Sequence, residues 1–111
     1  MTGWLLIDGS NVVHQDAELR RLASPDPERA RAELERLLGG RRLTAVFWDG
    51  GPGGEMRSFQ RKGIRVDYSG PGEADGRIIA WLKLHGPLRA VVVTDDGPLG
   101  RRCRTLGAKV V

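Results

Sequence analysis

Three short apolar runs in this chain stop on an acidic residue. Trp4-Leu5-Leu6-Ile7 ends at Asp8-Gly9, Leu43 to Trp48 ends at Asp49-Gly50, and Ala90 to Val93 ends at Thr94-Asp95-Asp96. A short continuous apolar run bounded by turn residues is the pattern of a strand buried on both faces. Helical patterns lie between the runs. Asp26-Pro27-Glu28 starts a helix, with Asp as N-cap and Pro at the first position. Ala30, Leu34, Leu37 and Leu38 then form one apolar stripe, and Gly39-Gly40 closes it. A shorter helix is expected over Asp16 to Ala23. Gly50 to Gly54 holds four glycines and one proline and reads as a flexible loop. Ile64 to Tyr68 is a third strand. Glu73 to His85 is helical and is stopped by Gly86-Pro87. Pro98 to Leu106 is a last helix, closed by Gly107, and Ala108 to Val111 is a fifth strand.

This alternation predicts an α/β fold: one three-layer domain over residues 1–111, with a five-stranded parallel sheet flanked by helices. Crossovers are expected to be right-handed. A chain of 111 residues buries roughly two-thirds of its unfolded surface, so it needs no disulfide or structural metal. Cys103 is the single cysteine and is expected to be a small buried residue on the last helix. No apolar run approaches the ~20 residues of a membrane span. Met1 to Asp8 lacks the basic segment and apolar core of a secretory leader, so a cytoplasmic location is expected.

The acids then acquire a common address. In a parallel sheet all strand C-termini lie on one edge, and ligands bind there, above all where the strand order reverses. Asp8, Asp49, Asp95 and Asp96 follow strands. Glu73 and Asp75 open the helix before the fourth strand. If the first and fourth strands are neighbours, Asp8 and Asp96 flank the switch point. Carboxylates held together repel and resist ionising. A hard divalent cation removes that conflict, because Mg²⁺ takes oxygen ligands and keeps several waters. Such an ion activates water and stabilises the charge of an in-line displacement at phosphorus. Each acid also has an ordinary structural role: Asp96 as a helix cap, Asp8-Gly9 and Asp49-Gly50 as turns, Glu73 and Asp75 as partners of a helix dipole.

At this point the ordered motifs resemble a known family. Leu5-Leu6-Ile7-Asp8-Gly9-Ser10-Asn11-Val12-Val13 is similar to the opening segment of NYN domains of the PIN-like group, in particular their YacP-like branch. Val46-Phe47-Trp48-Asp49-Gly50, Glu73-Ala74-Asp75-Gly76-Arg77-Ile78, Val91 to Asp96 and Gly107 to Val111 resemble the family's later motifs, in the same order. The resemblance implies a sheet of order 3-2-1-4-5 and cleavage of single-stranded or structured RNA, dependent on Mg²⁺ or Mn²⁺. By position it implies Asp8, Asp75 and Asp96 as metal ligands, with Asp95 and Glu73 as further candidates. Asn11 would orient the site or contact a phosphate. Ser10, Asp49 and Thr94 would support it. A homodimer, or a ribosomal or RNA-processing partner, is also compatible with this reading. The chain departs from the pattern at Gly76 and Pro98, where many relatives carry acids, and at Ser10, where Tyr is frequent. Those departures imply fewer metal ligands, one metal in place of two, or weak activity.

The charge balance points the same way. The net charge is +4 and 15 of the 18 basic residues are Arg, the better bidentate phosphate binder. Arg57, Arg61, Lys62 and Arg65 after the glycine-rich loop, and Arg101, Arg102 and Arg104 on the last helix, are candidate contacts to RNA backbone. With 5% aromatics, base stacking is limited. Trp48 and Tyr68 are expected near the cleft, and Trp4 and Trp81 in the core. Other chemistries lack their residues. Asp8-Gly9-Ser10-Asn11 stands where a dinucleotide fold needs its glycine fingerprint. Ser10 has no nearby His base, and His14 and His85 have no partners at zinc spacing. The rival reading is a catalytically weak or inactive RNA-binding or protein-interaction module that keeps the same fold.

Overall fold

The computed structural model describes residues 3–111; residues 1 and 2, part of the predicted domain and of the segment examined for a leader, lie outside the described residues. The run Trp4–Asp8 is β1, at the centre of the sheet. It pairs in parallel with β2 (Thr44–Trp48) on one side and β5 (Ala90–Val93) on the other. β4 (Ile64–Ser69) extends the sheet beyond β2, and β6 (Lys109–Val110) extends it beyond β5, both in parallel. The five predicted strands therefore stand in the order that the resemblance implied.

The sheet is nevertheless six-stranded and mixed, a correction to the five-stranded parallel prediction. β3 (Met56–Arg61) pairs antiparallel with β4 and forms the outer edge, giving the order β3-β4-β2-β1-β5-β6. Its sequence, MRSFQR, has the polar character of an edge strand, so no buried-strand pattern announces it. The turn is equally quiet. Lys62 (φ 56°) and Gly63 (φ 77°) are both left-handed, as a tight hairpin turn requires, yet Lys is not the usual first residue.

Helices cover both faces. α1 (Gly9–Gln15), α2 (Ala17–Ala23) and α3 (Pro27–Leu38) lie on one, α4 (Ala74–His85) and α5 (Gly97–Leu106) on the other. Strand residues alternate between the layers, as the pleat dictates. Leu6, Ala45, Phe47 and Val92 pack with Ile78, Leu82, Leu99 and Cys103, whereas Ile7, Val46 and Trp48 pack with Leu19 and Leu34. Each buried Leu, Ile, Val or Phe among them contributes about 1.5–3 kcal/mol. Asp26 forms the expected cap, accepting from Glu28 N at 3.1 Å; Asp16, expected as the first residue of its helix, is instead the cap of α2 and accepts from Leu19 N at 3.0 Å. α1 was not predicted. It begins at the residue after β1, because Gly9 lets the chain turn tightly against Trp48: an added Cβ would meet that ring at 2.7 Å. Among the described residues no helix is long and apolar enough to cross a membrane.

Two buried carboxylates are neutralised inside this frame. Glu35 of α3 accepts from Arg61 Nε at 2.8 Å and Nη2 at 2.9 Å, and from Trp48 Nε1 at 3.1 Å. Asp67 of β4 accepts from Arg77 Nε at 2.8 Å and Nη2 at 2.7 Å. Both pairs are bidentate, the strongest geometry for this contact. Removing one partner of a buried pair costs roughly 3–5 kcal/mol. The Arg61 side chain is 42% exposed, which lowers that figure. Glu35→Ala is expected to cost about 2–3 kcal/mol in urea unfolding, with Glu35→Gln intermediate. A loss under about 0.5 kcal/mol, the level of an ordinary surface change, would show that this pair does not hold α3 to the sheet.

Candidate active site at the carboxyl edge of the sheet

Asp8 is the last residue of β1, next to the point where the strand order reverses. It continues the face of Leu6, toward α4 and α5, and is 7% exposed. Its Oδ2 accepts from the Thr94 hydroxyl at 2.8 Å. The same Thr94 oxygen accepts from Asp96 N at 3.0 Å, so one hydroxyl ties the end of β1 to the loop after β5. The next residues of the first motif do similar work. Ser10 Oγ accepts from Asp49 N at 3.2 Å, and Asn11 Oδ1 accepts from Asp95 N at 2.8 Å. Asp49 Oδ1 in turn accepts from Ala74 N at 2.7 Å and caps α4. Four segments are thereby held around one opening.

That opening is a polar cleft of about 310 Å³ lined by Asp8, Ser10, Asn11, His14, Asp49, Glu73, Asp75 and Asp96. Five carboxylates thus face one space. Several have one oxygen committed: Asp8 to Thr94, Asp49 to Ala74, Asp75 to Gly76 N at 2.8 Å, and Asp96 to Leu99 N at 2.9 Å as the cap of α5. Among the described residues nothing hydrogen-bonds the second oxygens of Asp49, Asp75 and Asp96, whereas Asp8 also accepts from the Asn11 backbone N–H. Burial pushes the Asp8 carboxyl above its ordinary value. The Thr94 hydroxyl and the Asn11 backbone N–H oppose that, while the charges of Asp49 and Asp96 push it further up. Arg102 is a cation at the lip, with Nη1 4.0 Å from Asp75 Oδ2.

Oxygen donors without thiolate suit Mg²⁺ or Mn²⁺. The charge conflict at Asp8 is the kind a divalent cation relieves, so the donor chemistry fits. Among the described residues no three acids stand close enough to make a closed ligand set. An ion here would therefore keep much of its water, as Mg²⁺ does.

Asp95 stands outside this cleft, contrary to its expectation as a ligand. It lines a neighbouring groove of about 340 Å³ with Val12, Val93 and Val111. Successive residues of an extended segment point to opposite sides, so Asp95 and Asp96 part company. The expected basic contacts also separate. Arg61 is committed to Glu35 and to the Tyr68 hydroxyl at 3.0 Å. Lys62 occupies the hairpin turn and Arg65 the start of β4, at the opposite edge of the sheet. The length of β4 puts them about 16 Å from the acids. Arg57 lies over the Phe59 ring on β3. Arg102, on α5, reaches the cleft at Asp75, Arg101 stands one residue before it, and Arg104 is exposed in the last turn of that helix.

Trp48 (1% exposed) and Tyr68 (3%) are core residues and offer no stacking face to the cleft. Trp4 and Trp81 pack on each other at 5.7 Å, half-buried, and Cys103 is buried as expected. His85 lies at the end of α4 against Trp81. His14 is an exposed residue in the last turn of α1 and also lines the cleft. Ser10 and His14 are four apart on α1, hence on one face, and recognising that helix would have found it.

No family model matches the sequence, and no curated protein does. Among solved structures the chain is similar to the crystal structure of Rae1 (YacP) from Bacillus subtilis. The TM-score is 0.76 at 20% identity, covering 98% of this chain and 69% of that one. That likeness establishes a shared fold, the one implied by the sequence motifs.

The raised Asp8 carboxyl gives a pH test. A carboxyl raised in the folded state binds its proton more tightly there than in the unfolded chain. Stability is then lost as pH rises from the ordinary aspartate value of about 3.9 through the raised one, and the cost persists above it. Asp8→Asn is therefore expected to raise the metal-free melting temperature at pH 7 by a few degrees. The gain should vanish near pH 3, where both states are protonated. An equal gain at both pH values would place its origin outside the charge of Asp8.

Proposed function

We propose that the protein is a divalent-metal-dependent ribonuclease that hydrolyses RNA phosphodiester bonds in the acidic cleft. One observation carries the reading. Three carboxylates are buried among the described residues: Asp8, Glu35 and Asp67. Glu35 and Asp67 each hold a bidentate Arg, whereas Asp8 holds none and is instead surrounded by other acids. In a chain with 15 Arg residues, a buried carboxylate left without one at the sheet's switch point marks a place kept for an exogenous cation. The ordered NYN-like motifs, and a fold shared with YacP, support the same assignment.

The residues then take distinct parts. Asp8, Asp96 and Asp75 are the proposed metal ligands, with Glu73 and Asp49 reached through water. When bound, Mg²⁺ or Mn²⁺ supplies charge to the phosphoryl oxygens and lowers the pKa of a water. Thr94 fixes the Asp8 carboxylate, with its hydroxyl also bound by Asp96 N. Asn11 and Ser10 hold the two flanking loops at a constant separation. Arg102 is placed to meet a phosphate beside Asp75.

A non-catalytic RNA-binding module is the second reading, and one observation favours it. No three acids form a ready ligand set among the described residues, and Asp49 and Asp96 both serve as helix caps.

End-labelled single-stranded RNA incubated with Mn²⁺, Mg²⁺ or EDTA separates the two. The expected result is cleavage that needs the metal and falls on the order of 10³-fold in Asp8→Asn, several kcal/mol of lost charge stabilisation. Several RNAs left intact by the wild type with both metals would give preference to the binding module. Equal cleavage by wild type and variant would point to a contaminant.

A further inference from the structure

Beside the acidic cleft, α4 and α5 enclose a second groove of about 480 Å³. Its floor is apolar, formed by Ile79, Pro98 and Leu106, and its walls carry Lys83, Arg101 and Arg102. No carboxylate lines it. All three cations are exposed, and among the described residues Lys83 and Arg101 have no acid within 4.0 Å. The groove adjoins the acidic cleft, since Arg102 lies 4.0 Å from Asp75. At the same end Arg101 lies along the first turn of α5, its Nη1 3.3 Å from the Cβ position of Gly97, the residue after Asp96. From Asp75 to Lys83, α4 rises about 12 Å.

We propose that this groove is the track for the single-stranded RNA backbone on one side of the scissile bond. The proposal rests on the reading of the acidic cleft as the place where the phosphodiester sits, and it names the path of the strand away from it. Its basis is charge. The cleft holds five acids and repels a polyanion, so a strand needs a neighbouring cationic surface to stay engaged. Of the other basic cluster, Lys62 and Arg65 lie at the far edge of the sheet, Arg61 is already paired to Glu35, and Arg57, opposite Tyr68, is laid over the Phe59 ring. The α4–α5 groove is contiguous with the acids and has uncommitted cations. Arg101 and Arg102 offer forked donors that match phosphate oxygens. The apolar floor suits the faces of sugars and bases, and it reads little sequence because hydrogen-bonding groups are scarce there. The ordinary alternative is a solvated helix face, with Lys83 complementing the end of α4. That alternative does not require three cations to converge on a groove without acids.

The test is binding in EDTA, where cleavage is off, so failure of the nuclease reading does not mask the result. Fluorescence anisotropy of a short labelled oligouridylate is measured against salt for the wild type, for K83Q/R101Q/R102Q, and for K62Q/R65Q at the far edge. The groove variant is expected to bind at least about tenfold more weakly. Its log–log salt slope should fall by about 2, at ~0.7 per lost phosphate contact on a single strand. The far-edge variant should keep the wild-type slope. R101K/R102K should recover the slope while keeping weaker binding, because charge returns without the fork. Melting curves of each variant separate lost contacts from lost folding. An unchanged slope in the groove variant, an equal loss in the far-edge variant, or no binding by the wild type would each overturn the proposal. Loss in the groove variant alone, in a protein that cuts no RNA, would sustain the track and remove the nuclease.

Discussion

The Thr94 hydroxyl, shared between the Asp8 carboxylate and the Asp96 backbone, is the contact on which the candidate site depends. β1 and β5 are neighbours in the sheet but are separated by most of the chain in sequence. Their ends meet at the switch point, where backbone pairing stops and loops begin. Something must fix the loops there. Thr94 donates to Asp8 at 2.8 Å and accepts from Asp96 N at 3.0 Å, setting the two acids beside each other. Ser10 and Asn11 repeat the device toward the loops after β2 and β5. The first motif therefore holds the loops before it takes part in any chemistry, and its side chains have structural work regardless of the ligand.

That double duty explains why structural and functional roles are not exclusive here. Asp96 caps α5 through one oxygen and Asp49 caps α4 through one oxygen, and among the described residues nothing hydrogen-bonds the second oxygen of either. A cap fixes the carboxylate in position without neutralising its charge. Neutralisation is what Glu35 and Asp67 receive from arginine. The molecule thus treats its buried acids in two ways, and the difference follows location. Acids in the layers are closed off by a guanidinium. The acid at the sheet edge is desolvated, hydrogen-bonded by one hydroxyl and one backbone N–H, and left among like charges. Groups placed in that manner are the usual carriers of chemistry.

Much of the fold was legible because it is written in long-range patterns. Apolar runs at β1, β2 and β5 bury on both faces, so their signal does not depend on neighbours. The cap at Asp26 and the stop at Gly107 are local hydrogen-bond chemistry and appear as written. β3 was not legible, because an edge strand with one face to water needs few apolar residues. Its turn uses Lys62 where Asn or Gly would have announced it. α1 was missed because the seven-residue segment Gly9–Gln15 is too short for a periodic pattern. In the candidate site the acids could be gathered on one edge from strand ends alone. The separation of Asp95 from Asp96 could not, since it turns on the path of one loop. Nor could the pairing of Arg61 with Glu35, which joins residues from a helix and a strand that only the folded sheet brings together.

The division of basic residues completes the physical picture. Composition alone gives the chain a net charge of +4 with no preferred face. Folding makes it directional. It spends Arg61 and Arg77 on buried acids, moves Lys62 and Arg65 to the far edge, and leaves Arg101 and Arg102 next to the acids. A negative cleft bordered by a positive groove steers a polyanion only along the boundary between them. The fold thereby sorts a diffuse charge of +4 into an acidic cleft and an adjoining cationic groove, although the sequence distributes its cations along most of its length.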